Sequence, residues 1–252
     1  MKLHTLFRPK LLILVACSLA VVSSLWATKP NIILILADDL GWGDVSCYQP
    51  GNRFQTPEID RIAREGLRMT NAHAPHSVCS PTRYAVLTGR YCWRTFLREG
   101  VLPGYAKPLI AKRRMTLASL LKQRGYATGA FGKWHIGMGW IPVKGDPGDF
   151  HYGSQIHASG SALAAISRRV NHAAPISGGP TDLGFDTFFG TPSNRGRIPV
   201  FIRDNRVVGS PLRNKSGLMK DPTMRADTVD DLYAEEAVRF IEKAAKQKMP
   251  FF

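Results

Sequence analysis

The sequence predicts an α/β fold in which a mostly parallel central sheet is sandwiched by helices. Strand-like apolar runs alternate along the chain with helical segments that have recognisable start and stop signals. The composition is that of a globular domain, with 44% hydrophobic and 21% charged residues. The first strand-like run is continuously apolar, which is typical of a parallel strand buried on both faces.

Residues 31–36 form that first run, and we expect them to make a central strand. Two carboxylates, Asp38 and Asp39, follow it directly, and Gly41 and Gly43 then end any continued burial. Open α/β sheets bind ligands at the carboxyl ends of their strands. The acidic pair is therefore expected at the ligand-binding edge of the sheet.

Three helices are predicted in the first half of the chain. The first has Thr56-Pro57 at its start and Gly66 after it. The second is opened by Ser80-Pro81-Thr82 and is followed by Gly89. The third follows Thr116 and runs over 117–124. The second helix places Cys79 at its N-terminus. A strand-like run over 126–131 follows the third helix and leads into Lys133 and His135.

The second half of the chain starts with a predicted long loop or lid over 142–180, which is rich in Gly, Ser and Pro. Aromatic residues over 185–189 and the apolar run 200–202 indicate a return to the core. A capping-box pattern at 228–231 predicts a helix up to Lys246. Residues 249–252 look like the start of another strand, so we expect that the C-terminal part of the fold is missing and that 29–252 is the N-terminal portion of a larger domain.

Residues 1–28 have the pattern of an export signal: a basic start, an apolar run over 11–25 and small residues near Ala27. We expect cleavage near Ala27 and a periplasmic, extracellular or cell-surface location. A retained membrane anchor is a weaker alternative. A third interpretation takes residues 14–17 as a lipoprotein cleavage box, in which case a lipidated Cys17 would tether the protein to a membrane.

The cysteine count and the charge add two expectations. If Cys79 is chemically consumed, Cys47 and Cys92 could form a disulfide, although two separate buried thiols fit the sequence at least as well. The formal net charge is +15, which favours an anionic ligand or reflects a basic surface. No DNA- or RNA-binding motif accompanies this charge, so nucleic acid is not an expected partner.

The stretch Cys79-Ser80-Pro81-Thr82-Arg83 resembles the Cys-x-Pro-x-Arg signature of the formylglycine-dependent sulfatases, or arylsulfatases, in the alkaline phosphatase-like superfamily. The runs 31–39, 87–90 and 132–135 support the resemblance in the same order along the chain. The flanking stretches 184–186 and 189–190 also resemble the family, so the similarity extends over most of residues 30–252.

The resemblance implies that Cys79 is oxidised to formylglycine by a formylglycine-generating or other sulfatase-maturing enzyme. The hydrate of that aldehyde has two hydroxyls, of which one attacks sulfur and the other later expels the sulfate, so no water needs to attack. Asp38 and Asp39, with the modified Cys79, would hold one divalent cation, expected to be Ca²⁺. That cation needs more oxygen ligands than this pair provides.

The resemblance also assigns roles to three further residues. Arg83 lies one helical turn after Cys79 and would hold the formylglycine oxygens and the nearby carboxylates. Lys133 would contact the sulfate, and His135 would hydrogen-bond the formylglycine. A polar sulfate contact is expected around 191–194, where the sequence does not decide between Ser193 and Asn194. His73 and His76 precede Cys79, and ordinary polar loop positions explain them better than a role in the site.

The expected substrate is a sulfated carbohydrate or an aryl sulfate ester. Members of the family are considerably longer than 252 residues, and they carry a further histidine, a second metal-binding pair and another lysine downstream. A truncated, inactive sulfatase remnant is therefore the main alternative. A phosphate-ester hydrolase of the same superfamily is the less favoured one, because its nucleophile would be Thr or Ser.

Overall fold

A computed structural model describes residues 29–49, 51–145, 160–194 and 196–252. The predicted signal segment 1–28, including Cys17, lies outside the described residues, as do residues 146–159 of the predicted loop. Five α-helices are found in the described part: α1 (Pro57–Glu65), α2 (Cys79–Thr88), α3 (Leu117–Gln123), α4 (Gly160–Arg169) and α5 (Val229–Lys246). Short 3-10 turns occupy Trp42–Asp44, Cys92–Arg94 and Pro180–Leu183.

Four strands form the main sheet of the described residues, in the spatial order of the chain: β1 (Gly129–Lys133), β2 (Thr187–Thr191), β3 (Phe201–Arg203) and β4 (Arg206–Val208). β1 and β2 are parallel, with Lys133 beside Thr191, whereas β3 pairs antiparallel with both β2 and β4. Phe251 adds a parallel bridge to Ala127 just before β1. A separate two-stranded ribbon joins β5 (Leu212–Arg213) to β6 (Met219–Lys220). The sheet is thus mixed, and its parallel part is the part that leads to Lys133.

Side chains on successive residues of β2 and β3 point to opposite faces of the sheet, as the pleat of a strand requires. Phe188 and Ile202 pack into the larger apolar cluster, together with residues from α2, α3 and α4. Their neighbours Phe189 and Phe201 pack into a smaller cluster with Val229 at the start of α5. Helices therefore cover both faces of the sheet, which confirms the predicted α/β class.

The predicted central strand at 31–36 is wrong in this structure. No strand is assigned there, and Ile33 and Ile35 are 63% and 80% exposed. The backbone N–H of Ile32 donates to the carbonyl of Phe251 at 2.8 Å, and this single bond does not make the run a strand. No strand of the described residues lies on the other side of the run. An apolar run becomes buried only where neighbours cover it, and those neighbours cannot be read from the run itself.

The predicted loop over 142–180 is also partly wrong, because α4 occupies Gly160–Arg169. Leu163, Ala164 and Ile166 are each at most 3% exposed, and the larger apolar cluster accounts for the helix there. Packing of this apolar face outweighs the Gly- and Ser-rich composition of the surrounding sequence. The capping box expected at 228–231 is not formed, since the Thr228 side chain makes no capping hydrogen bond, although α5 itself begins at Val229 as predicted.

Candidate active site

Helix α2 presents the candidate nucleophile. Val78 has an extended backbone, the helix begins at Cys79, and Gly89 ends it in the left-handed conformation with φ 65°. Pro81 fits the first turn because the amide hydrogen that it lacks has no partner within a helix there. Cys79 and Arg83 are four residues apart and therefore lie on the same face. The sequence thus predicted both the placement of Cys79 and its alignment with Arg83.

A cluster of charged groups surrounds Cys79. The Nζ of Lys133, the last residue of β1, donates to the Cys79 Sγ at 3.1 Å and forms a close ion pair with Asp38. Arg83 Nη2 lies 3.4 Å from Asp38 Oδ2, and Arg83 Nη1 donates to the Lys133 carbonyl. The side chains of Asp38, Arg83 and Lys133 are 31%, 14% and 17% exposed, so solvent screens their charges only in part.

The charge balance at Asp38 keeps its carboxylate ionised. Partial burial raises the pKa of Asp38, but the hydrogen bond and charge of Lys133 and the charge of Arg83 outweigh it, so the pKa is lowered from 3.8. The structure therefore holds an anion between two cations, next to a thiol.

A group able to hold a metal ion is formed by Asp38, Asp39 and Cys79. One potential ligand atom of each residue lies within 4.8 Å of the others. The backbone of Asp39 is left-handed, with φ 60°, which is uncommon for a residue other than glycine and which tends to occur at functional sites. Paired carboxylates are the ligands that hard divalent cations prefer. These residues fit part of such a coordination shell, as the family resemblance implied.

His135 is the second site residue with a left-handed backbone, at φ 55°. Its ring is 2% exposed, and its Nε2 lies 2.9 Å from the carbonyl oxygen of Leu102. A carbonyl oxygen can only accept, so Nε2 carries the hydrogen and Nδ1 does not. Nδ1 is buried and has no hydrogen-bond partner among the described residues. The structure therefore shows no bond from His135 to Cys79, and leaves one ring nitrogen available for another partner.

Burial and then the charge of Lys133 lower the pKa of His135 to about 4. The ring is therefore neutral at physiological pH, with a lone pair on Nδ1. No feature of the sequence indicated the contact with Leu102, because a bond to a backbone carbonyl 33 residues away leaves no pattern in side-chain identity.

The remaining sequence candidates take other positions. Ser193 is 1% exposed, and its Oγ has no hydrogen-bond partner in the part of the chain that the structure describes, whereas Asn194 is exposed. His73 and His76 are exposed, and His76 organises the turn before α2: its Nδ1 accepts from the N–H of Val78 at 3.3 Å. The expectation that these two histidines are loop residues agrees with this placement.

Two of the described cysteines, Cys47 and Cys92, lie outside the site. Cys47 and Cys92 are free thiols, so of the two alternatives drawn from the sequence the structure has the separate thiols and not the disulfide. Within the described residues, moreover, we find no helix of the length and apolar character that crossing a bilayer requires.

The family model for sulfatases, described as "Sulfatase", matches residues 30–252. The chain belongs to the sulfatase family. The N-acetylgalactosamine-6-O-sulfatase of Bacteroides thetaiotaomicron is 40% identical over 182 residues, which make up 72% of this chain and 30% of that protein. Human arylsulfatase A is 45% identical over 130 residues, or 51% of this chain and 24% of its own length.

Solved sulfatase structures share the fold. One, from a study of glycosaminoglycan metabolism in Bacteroides thetaiotaomicron, covers 90% of this chain and 50% of its own length, with a TM-score of 0.69 and 28% identity. The PsFucS1 sulfatase of a Pseudoalteromonas species covers 97% of this chain and 46% of its own length, with a TM-score of 0.58 and 25% identity. The alkaline phosphatase-like architecture expected from the sequence is therefore confirmed. This sulfatase chain spans between 20% and 41% of the length of the curated relatives that it matches.

Proposed function

We propose that the protein containing this chain hydrolyses sulfate esters, with a nucleophile derived from Cys79. The observation that carries this proposal is the contact of the Cys79 Sγ with Lys133 Nζ at 3.1 Å, beside a carboxylate pair that can hold a cation. A sulfate monoester brings negative charge to the nucleophile, and the cations around Cys79 are placed to accept it. Membership of the sulfatase family supports the same reaction.

Two groups outside the unmodified chain complete this proposal. Oxidation of Cys79 to formylglycine by a maturing enzyme would supply a hydrated aldehyde whose hydroxyl oxygen is the nucleophile. Asp38 and Asp39 would hold the divalent cation, which we propose to be Ca²⁺, because carboxylate oxygens suit this hard ion. When bound, the cation supplies positive charge that favours the ionised hydroxyl and the sulfate oxygens.

The residues of the chain divide the remaining tasks. Lys133 reaches Cys79 through the same ammonium group that pairs with Asp38, so in the reaction it can turn to the sulfate oxygens without leaving the site. Arg83 holds Asp38 and the end of β1 together through its ion pair and its bond to the Lys133 carbonyl. His135, neutral and with an open Nδ1, can accept a proton or a hydrogen bond from a hydroxyl at position 79.

We propose a sulfated carbohydrate as the substrate, with aryl sulfates as convenient surrogates. The name of the Bacteroides relative, N-acetylgalactosamine-6-O-sulfatase, supports this choice, because that protein is 40% identical over most of this chain. We also propose an exported location, which the signal-like residues 1–28 support and which suits a polymeric substrate. A lipid anchor at Cys17 is the variant of this proposal that would tether the protein to a membrane.

The test is sulfate release by the full-length protein, co-expressed with a formylglycine-generating enzyme, from an aryl sulfate and from sulfated N-acetylgalactosamine. We expect that Cys79→Ala abolishes activity on both. Cys47→Ala is the matched control, because Cys47 is also a half-buried free thiol, and it should leave activity unchanged. Activity that survives Cys79→Ala would contradict the proposed nucleophile, and cleavage of the aryl sulfate alone would contradict the carbohydrate substrate.

A further inference from the structure

Ser80, the residue directly after Cys79, connects the nucleophile helix to His135. Ser80 is 0% exposed, and its Oγ accepts a hydrogen bond from the backbone N–H of Leu102 at 3.1 Å. The carbonyl of the same Leu102 accepts the Nε2–H of His135 at 2.9 Å. Both backbone polar groups of Leu102 are therefore used, the N–H by Ser80 and the carbonyl by His135.

We propose that Ser80 is a positioning residue that fixes the tautomer and orientation of His135 through the backbone of Leu102. The hydroxyl oxygen of Ser80 holds the Leu102 N–H, so the Leu102 carbonyl stays directed at the imidazole. The carbonyl keeps the hydrogen on Nε2 and leaves Nδ1 as the open acceptor. The catalytic use of Nδ1 rests on the proposed function. The two hydrogen bonds that connect Ser80 to His135 through Leu102, here called the relay, do not depend on it.

Burial makes this connection stiff. Ser80, Leu102 and His135 are 0%, 2% and 2% exposed, so water cannot replace a bond that is removed. The left-handed backbone of His135, with φ 55°, is a conformation that persists only where its surroundings hold it. An imidazole ring whose nitrogen donates to a fixed carbonyl is held in a single orientation. Histidines in reactive sites are commonly held in this way.

Ser167 offers a matched comparison within the same chain. It is also 0% exposed, and its Oγ also accepts from a backbone amide, that of Met219, at 3.1 Å. It also accepts from the hydroxyl of Tyr105 at 3.1 Å. None of the described bonds of Ser167 leads to His135. Ser167→Ala therefore removes the same kind of buried hydroxyl without touching the relay.

The direct test is nitrogen-15 NMR of the His135 ring in this chain with Cys79 unmodified, at neutral pH. We expect one neutral tautomer, protonated at Nε2, in the wild type and in Ser167→Ala. In Ser80→Ala we expect the two ring-nitrogen shifts to move towards each other, as a mixture of tautomers requires. Ser80→Thr keeps an oxygen acceptor and should restore the wild-type signals.

Unchanged His135 signals in Ser80→Ala, or an equal change in Ser167→Ala, would overturn the proposal, as would an Nδ1-protonated ring in the wild type. These readings need no enzymatic activity, so they stay informative if the proposed function fails. In the active full-length protein, activity normalised to the formylglycine content should fall roughly tenfold in Ser80→Ala and recover in Ser80→Thr. Normalised activity of Ser80→Ala equal to that of the wild type would also contradict the positioning role.

Discussion

Two lysine–aspartate ion pairs lie at opposite ends of the parallel strands β1 and β2. At the carboxyl end, Lys133 pairs with Asp38, and both side chains are at least two thirds buried. Before the amino ends, Lys122 pairs with Asp186 at 2.6 Å, with side chains that are 50% and 42% exposed. The pKa of each aspartate is lowered, although partial burial opposes this in both.

The difference lies in what each pair is joined to. Asp186 also accepts hydrogen bonds from the backbone and side chain of Thr128, so its charge helps to hold the start of the strands in place. Lys133 instead reaches a thiol, and Asp38 faces a second cation and a second carboxylate. An ion pair alone therefore does not mark a site. A less exposed pair that shares its charge with a nucleophile, at the carboxyl end of the sheet, does.

The largest expected effect is on turnover by the full-length protein. Lys133→Met removes the ammonium group that contacts Cys79, so we expect kcat/KM for an aryl sulfate to fall by about 10²- to 10³-fold. Lys122→Met, the same change in the exposed pair, should leave kcat/KM within about twofold. Comparable losses in both variants would mean that Lys133 acts through stability and not through the reaction.

The next effect concerns metal binding. Asp38→Asn removes one negative charge from the carboxylate pair, and we expect calcium affinity to fall by at least about tenfold in a calorimetric titration. Asp186→Asn removes the same charge from the other ion pair and should leave the affinity unchanged. A chain that binds calcium equally well with Asn at position 38 would not use this aspartate as a ligand.

A third comparison uses the pKa of His135. Since burial and then the charge of Lys133 lower it to about 4, Lys133→Met should raise it, and Lys122→Met should not. The unfolded chain takes up this proton near pH 6.5, so the free energy of unfolding should fall as the pH drops from 6.5 towards 4. This decrease in the free energy of unfolding should be smaller in Lys133→Met. NMR titration of the ring gives the pKa, and denaturant unfolding across this pH range gives the stability.

The smallest effect is expected from the exposed pair itself. Lys122→Met should change the free energy of unfolding by no more than about 1 kcal/mol in urea, because solvent and salt screen this pair. The change should shrink further at high salt. A loss above about 2 kcal/mol would show that Lys122 and Asp186 matter more for the fold than their exposure suggests.

The sequence predicted the local parts of this structure well. Pro81 and Gly89 indicated the helix that carries Cys79, and Cys79 and Arg83 share a face because they are one turn apart. The bounds of α1, α2, α3 and α5 agree with the sequence signals to within about two residues. These features depend on neighbours in the chain, and a sequence displays such neighbours directly.

The features that depend on distant contacts were harder to predict. The run 31–36 has the pattern of a buried strand, yet Ile33 and Ile35 are exposed, because burial depends on which elements lie beside it. Lys133 and Asp38 pair although they are 95 residues apart in the chain. Of the sequence arguments, only the family resemblance predicted that both belong to one site. The contact of His135 with Leu102 is made to a backbone carbonyl, so the residue type at position 102 gives no indication of it.

The central claim is that Cys79 supplies the nucleophile after oxidation to formylglycine. The most direct measurement is mass-spectrometric peptide mapping of the native protein over residues 69–83. We predict that the peptide carries an aldehyde in place of the thiol at position 79. An unmodified thiol at Cys79 in protein that hydrolyses sulfate esters would contradict the account.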